Sequence, residues 1–503
     1  MSPTQKKMHN SSTALPGNHS WPGVALFAVI FLLYVMVAPS FAVPGRWAGI
    51  VTAFAGMDPF RPVTRPVWSG LVALVSALPI ANLGAAINVL TAAAGAGCCW
   101  LLYDMVRRVP FARGMYGLRD AIQKEEAPTR LMAGLAAALF AAASLAMIRF
   151  SAYGDYAVTD MLLLLLALYP VLRYRETGRT GWLCMSCAFM GLALVEYPTA
   201  AMIFPVFLGW WILTIWRAQQ RSFSVILAGL LSLFAGLVAL GVFAAVLAGS
   251  GMAEIRDWAG TGTVLVEWTR LYFLELTRSV PRVGWLLIFG MTLVPFIAVM
   301  LRPLEESADF FSRLGAYSFR LVLIAVAVLV LFELPGSPAY VMGPGVQLLA
   351  PSIVVAVWSG FLIAYLVMTA RQAGRRKLAG LLATAWFAAL LFAGVRHVAA
   401  ARVDHLKPVV AFAESIIGNL NGRDIVITDG LLDPQLQLAA RKAGVDVNLL
   451  NLQAGRSREQ AEYQARLFVD EESKSLALIG LPAALRDWVA RDPQAMDRLA
   501  MFA

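Results

Sequence analysis

A chain of 503 residues that is 59% hydrophobic and only 14% charged, with a mean hydropathy of +0.69, is not an ordinary soluble enzyme. Its net charge of +10 comes from 41 basic and 31 acidic residues. Most of that excess falls in short loops between apolar stretches, which argues for orientation across a bilayer by Lys and Arg and against nucleic acid as a partner.

Residues 1–21 are polar and read as a disordered cytoplasmic tail, so the sequons at Asn10 and Asn18 are expected to be silent. Residues 22–401 then carry apolar runs of the length that crosses a bilayer as a helix, about twenty residues each. Eleven spans are expected: 22–43, 81–106, 130–150, 157–173, 180–197, 199–216, 223–249, 283–301, 319–334, 346–370 and 378–399. The first is read as an uncleaved anchor. Loops on one side hold 20 basic residues, among them Lys6, Lys7 and the groups 107–130 and 371–377; the opposite loops hold 8. The positive-inside rule places the N-terminus in the cytoplasm. An odd number of spans places residues 402–503 outside.

The expected external face holds the informative polar residues. The first segment, 45–70, carries Arg46, Asp58, Arg61 and Arg65, with prolines at 59, 62 and 66 that disfavour a regular helix. A half-helix, Val67 to Leu78, follows; at about 1.5 Å per residue it is too short to span. A carboxylate flanked by three guanidiniums suits anionic lipid phosphates, although anchoring alone also explains loop arginines. The second loop, 149–160, carries Arg149, Asp155 and Asp160, the last at the start of an apolar span, where a charge is costly unless paired or wet. Glu196 closes the next hairpin. Residues 251–282 read as an interfacial amphipathic helix.

Cys98, Cys99, Cys184 and Cys187 fall inside apolar spans and read as packing residues. His397 and His405 lie near the last membrane exit, and no His/Cys cluster has zinc spacing, so no metal ligands are assigned; two carboxylates on different loops could share a divalent metal, but nothing demands it. The tail reads as a βαβαβα unit, a small Rossmann-like α/β domain. Its strands are 424–428, 447–452 and 475–481, and its helices are 431–443, 456–469 and a last one. It lacks G-x-G-x-x-G and Walker A motifs. Asp429 and Asp433 lie where open α/β sheets bind ligands, but turn chemistry explains Asp-Gly equally well.

These same segments resemble a bacterial multispanning family related to a vertebrate protein O-mannosyltransferase, within the GT-C superfamily of lipid-linked-sugar glycosyltransferases. Gly45 to Ala53 and Arg61 to Trp68 fall at the spacing of the family's G-D-S-G-E-L-I-T-A-A and H-P-P-G-Y-P-L-Y, followed by Leu78-Pro79 and Asn88. Ser151, Ala157, Asp160 and Met161 follow the second-loop pattern. GLALVEYPT at 191–199 is similar to G-L-S-x-x-N-H-x-T, and FAESIIGNLNGRDIVITDGLLD to the family's tail motif.

The resemblance implies a GT-C-like bundle that moves a sugar from a polyprenyl phosphate to an acceptor hydroxyl, on protein or glycan, at the outer face. No cofactor beyond the lipid-phosphate sugar is implied. Asp58 and Asp160 are the candidate bases; Arg61, Arg65, Arg149, Asp155 and Glu196 are the candidate substrate-binding residues. The family's first-loop acids fall on Arg46 and Gly49. The alternative, a catalytically silent GT-C-like scaffold or lipid-binding partner subunit, therefore stays open. A transporter is a weaker third reading, since paired broken helices and an internal repeat are missing.

Overall fold

The computed structural model describes residues 21–55, 57, 65–80, 82–109, 119–196, 200–217, 223–249, 310–335, 337, 349–452, 471–492 and 494–501, with isolated positions between them. Its apolar runs fold as helices, because in lipid only a helix satisfies its own backbone segment by segment. In chain order these are α1 (Trp21–Val37), α2 (Arg46–Phe54), α3 (Pro66–Ser76), α4 (Leu83–Arg108), α5 (Arg119–Ala143), α6 (Leu145–Ala152), α7 (Ala157–Thr177), α8 (Thr180–Glu196), α9 (Ala200–Arg217), α10 (Phe223–Gly249), α11 (Phe310–Leu331), α12 (Leu349–Gln372) and α13 (Arg376–Ala400).

Among the described residues four helical runs are long and apolar enough to cross a membrane, or five if the bent pair α5–α6 counts as one span. Shorter apolar helices occupy other expected spans. The chain is a helical membrane protein. The expected span 283–301, the interfacial helix 251–282 and the polar tail lie outside the described residues, apart from Trp21 and a few isolated positions.

Helix α4 is central, packed against α1, α5, α6 and α7. At one end its Asp104 accepts hydrogen bonds from Arg107 (2.6 Å), Arg108 (2.7 Å) and the Tyr169 hydroxyl (2.8 Å), and Arg108 continues to Glu176 at 2.6 Å. This network joins the ends of α4 and α7. Small residues set the closest helix approaches. A Cβ added at Gly236 would lie 2.3 Å from the Ala188 carbonyl, and one at Gly191 would lie 2.4 Å from that of Leu233, so α8 and α10 touch backbone to backbone.

The expected span 130–150 is broken. Helix α5 ends at Ala143, Ser144 adopts an extended conformation, and α6 leaves at 64°. The Ser144 hydroxyl accepts from Met147 N–H at 3.3 Å, an N-cap that makes the break a designed helix start.

One element of the segment 45–70 differs from the sequence reading. Residues 46–54, ahead of the prolines, form α2, with Ala48 and Val51 buried. The half-helix runs from Pro66, which takes the first helical turn where its missing N–H costs nothing. It is separate from α4, whose own start is capped by Asn82 accepting from Ala85 N–H at 3.1 Å.

After Ala401 come α14 (Lys407–Gly418), β1 (Ile425–Thr428), α15 (Asp433–Ala443), β2 (Asn448–Asn451), α16 (Glu471–Ile479), α17 (Leu481–Arg491), α18 (Ala495–Arg498) and β3 (Leu499–Met501). The sheet is parallel in the order β2-β1-β3. Val426 packs with α14 and α15, whereas Ile425 and Ile427 pack with α16 and α17, the alternation that lets one strand serve two layers.

The expected third strand, 475–481, is a correction: residues 475–479 belong to α16 and Leu481 opens α17, and β3 supplies the third strand instead. Burial there falls on Ser473, Ala477 and Leu481, a four-residue repeat, and Glu471 and Glu472 occupy the first turn, where acids favour a helix start. The expected helix 456–469 lies outside the described residues except Ala465 and Phe468. Asp433 is tied to Thr428 and, at 3.2 Å, to Asn451. Asp429 accepts from Leu431 N–H at 3.0 Å. Asp429 thus makes a local turn, whereas Asp433 ties the end of β1 to the end of β2.

Gly209 on α9 faces open space, whereas Gly236 faces backbone. Gly236→Ala is therefore expected to lower stability by about 1–3 kcal/mol through overpacking, and Gly209→Ala to leave it unchanged or slightly raised. Denaturant titration of the purified protein in bicelles separates the two.

Candidate functional site

Polar residues from four segments converge where α2, α3, the α6–α7 turn and the end of α8 meet. Arg65, which precedes α3, is 4% exposed and forms an ion pair with Asp160, 1% exposed, in the first turn of α7. Its guanidinium also donates to the Glu196 carbonyl at 3.1 Å and lies over the Tyr156 ring, 3.7 Å from the centroid. Two buried charges in low dielectric persist only when paired and hydrogen-bonded, and here both conditions are met for the cation. The Oδ1 atom of Asp160 has no hydrogen bond among the described residues.

Glu196 closes α8 and is fully buried. Its carboxylate accepts from the N–H groups of Val67 at 2.7 Å and Trp68 at 2.9 Å. Those N–H groups belong to the first turn of α3, which has no preceding helical carbonyl to receive them, so Glu196 caps the half-helix and complements its positive end. The residue fixes where α3 begins, and with it the position of Arg65.

Asp155 lies in the turn between α6 and α7. Its Oδ1 accepts from Ala157 N–H at 2.9 Å, and its Oδ2 faces the Arg46 guanidinium at 3.5 Å. Burial pushes its carboxyl above the ordinary range, while Arg46 and the Ala157 N–H pull the other way. Arg46 is 36% exposed, so this pair leads from the buried acids toward solvent. The charges of Asp155 and Glu196 both bear on Asp160. Three carboxylates and two guanidiniums thus form one constellation.

Of the expected site residues, Asp155, Asp160, Glu196 and Arg65 come together. Asp58 and Arg61 lie outside the described residues. Arg149, on α6, faces a different set: its charge bears on Glu333 after α11 and on His397 of α13. Arg46 and Tyr156 complete the constellation and were not among the expected site residues. A cation adjacent to Gly45 and opposite an acidic turn was the available signal for Arg46; none marked Tyr156. No group of three or more His, Cys, Asp or Glu side chains arranged to hold a metal ion occurs among the described residues.

The C-terminal domain covers this end of the bundle. Gln435 of α15 donates to the Ala42 carbonyl at 2.9 Å, Arg441 donates to the Ser76 carbonyl at 2.9 Å, and Leu438 packs against the cluster of Ala48, Val51, Trp68 and Val72. The tail domain and the first loop therefore share one end, and Arg107, Arg108 and Glu176 mark the other.

Arg65→Gln should strand the Asp160 carboxylate and cost about 3–5 kcal/mol, and the double variant Arg65→Leu/Asp160→Leu should recover much of that loss. A double-mutant cycle on unfolding free energy reads the coupling; additive losses would show that the two do not act as a pair. No family model matches the chain and no curated protein matches its sequence, so the functional reading rests on these residues.

Proposed function

We propose that this protein is a membrane glycosyltransferase of GT-C-like architecture, which moves a sugar from a polyprenyl-phosphate donor to an acceptor hydroxyl outside the membrane. The bundle crosses the bilayer eleven times in this reading, with the N-terminus cytoplasmic and the C-terminal α/β domain external. The observation that carries the reading is the constellation of Asp155, Asp160 and Glu196 with Arg46 and Arg65, built from the segments that resemble the family's chemical loops and roofed by a soluble domain.

In this reading Asp155 takes the acceptor's proton as the hydroxyl attacks the sugar carbon and the lipid phosphate leaves. Asp155 suits the role better than Asp160: its facing cation stands at 3.5 Å and reaches solvent, whereas Asp160 is held by the buried Arg65. Arg46 orients the base and offers charge to an anionic group arriving from solvent.

A second reading, a scaffold without catalysis that binds lipid or assists a partner enzyme, is favoured by the engagement of Arg65 and Glu196. Their contacts run to the protein itself, as a structural lock requires.

Three measurements test these readings. Reporter fusions after Lys377 and after Gly430 should read cytoplasmic and external respectively, and the reverse at either site defeats the topology. In cells, Asp155→Asn should reduce glycan transfer at least a hundredfold, in line with the contribution of a general base, about 10²–10⁴. With its carboxyl raised by burial, transfer should increase with pH through a range above the ordinary Asp value of about 3.9, because the base must be ionised to act. Full transfer by Asp155→Asn would favour the scaffold.

A further inference from the structure

A second charged cluster lies apart from that constellation, where the broken helix α5–α6 meets α11 and α13. His397, 2% exposed, binds the Ala143 carbonyl through Nδ1 at 2.7 Å. A carbonyl can only accept, so Nδ1 carries the hydrogen, and in the neutral ring Nε2 is an acceptor. That Nε2 is buried with no hydrogen bond among the described residues. Arg149 and Arg396 stand close enough for their charges to act on the ring.

The same two guanidiniums act on Glu333. They do not close on it: among the described residues neither Arg149 nor Arg396 forms an ion pair. The Glu333 carboxylate is instead engaged by the Ser337 hydroxyl at 2.9 Å, and Arg396 donates to the Phe332 carbonyl at 3.2 Å. Two cations, one acid held to one side and a buried acceptor nitrogen leave a net positive site that wants an oxyanion and one further hydrogen.

We propose that Arg149, Arg396 and His397 form a binding site for a phosphomonoester. The guanidiniums supply charge-assisted hydrogen bonds to phosphate oxygens. The proton retained by a monoester satisfies Nε2, and the interaction is the same whether the phosphate oxygen or the ring carries it. A phosphodiester has no such proton, so at neutral pH its oxygens would meet an acceptor. A phosphomonoester on a lipid and free inorganic phosphate share this chemistry. The assignment does not rest on the transferase reading, although a polyprenyl phosphate released by sugar transfer is a phosphomonoester of this class.

The test uses the full chain in detergent at pH 7.5, with binding read by native mass spectrometry. Dioctanoyl phosphatidic acid should bind at least about tenfold more tightly than dioctanoyl phosphatidylglycerol, and Arg149→Gln and Arg396→Gln should each weaken it about tenfold, the scale of one charge-assisted hydrogen bond. Arg396 is exposed, so its variant should keep the fold. Glu333→Gln should tighten binding, which a merely structural role would not produce. Displacement of the lipid by inorganic phosphate would assign the site to phosphate itself, and failure of displacement would assign it to the lipid headgroup; either supports the site. Equal binding of the two lipids, or unchanged binding by both arginine variants, would overturn it.

Discussion

Arg65 and Asp160 are charged groups buried where water cannot solvate them, and the arrangement of this end of the bundle depends on their meeting. A lone charge there would cost several kcal/mol. The pair fixes the start of α3 against the first turn of α7, and Glu196 fixes the same point from α8 by capping α3. Three segments distant in sequence are thereby held to one geometry. Hydrophobic packing could not set it alone, since apolar side chains against lipid or against each other differ little in energy.

With that point fixed, the neighbouring turn 153–156 carries Asp155 toward Arg46, and Trp47 packs edge-on against Tyr153, whose hydroxyl reaches the Ala401 carbonyl at the exit of α13. The last membrane helix is thus tied to the second loop, and α15 then lies over α2. Placement of the α/β domain follows from contacts made at the first two loops.

Much of this was legible in the sequence. Apolar length signals the long helices directly, and Asp160 at the head of an apolar run announced that it needed a partner, because an unpaired acid there is too costly to keep. Which cation it takes was not legible: Arg46, Arg61, Arg65 and Arg149 are equivalent as letters, and only the path of the chain distributes them. The structure pairs Arg65 with Asp160 and Arg46 with Asp155, and sends Arg149 to Glu333 and His397. The break at Ser144 was hidden because both flanks are apolar and a serine is tolerated within a span. Residues 475–481 misled because Ser-Leu-Ala-Leu-Ile alternates locally, while the four-residue repeat appears only when Ser473 and Leu481 are read with it.

The joint between the two domains is made largely to backbone. Gln435 and Arg441 both donate to carbonyl oxygens, of Ala42 and Ser76, and not to side chains. Such contacts read the path of the loop, not its lettering. Substitutions in the first loop that preserve its path keep both acceptors in place, whereas replacing either donor removes its bond outright. The two halves of the chain are thus unequally free to drift, and the loop that approaches the site has room to change its chemistry while the roof stays seated.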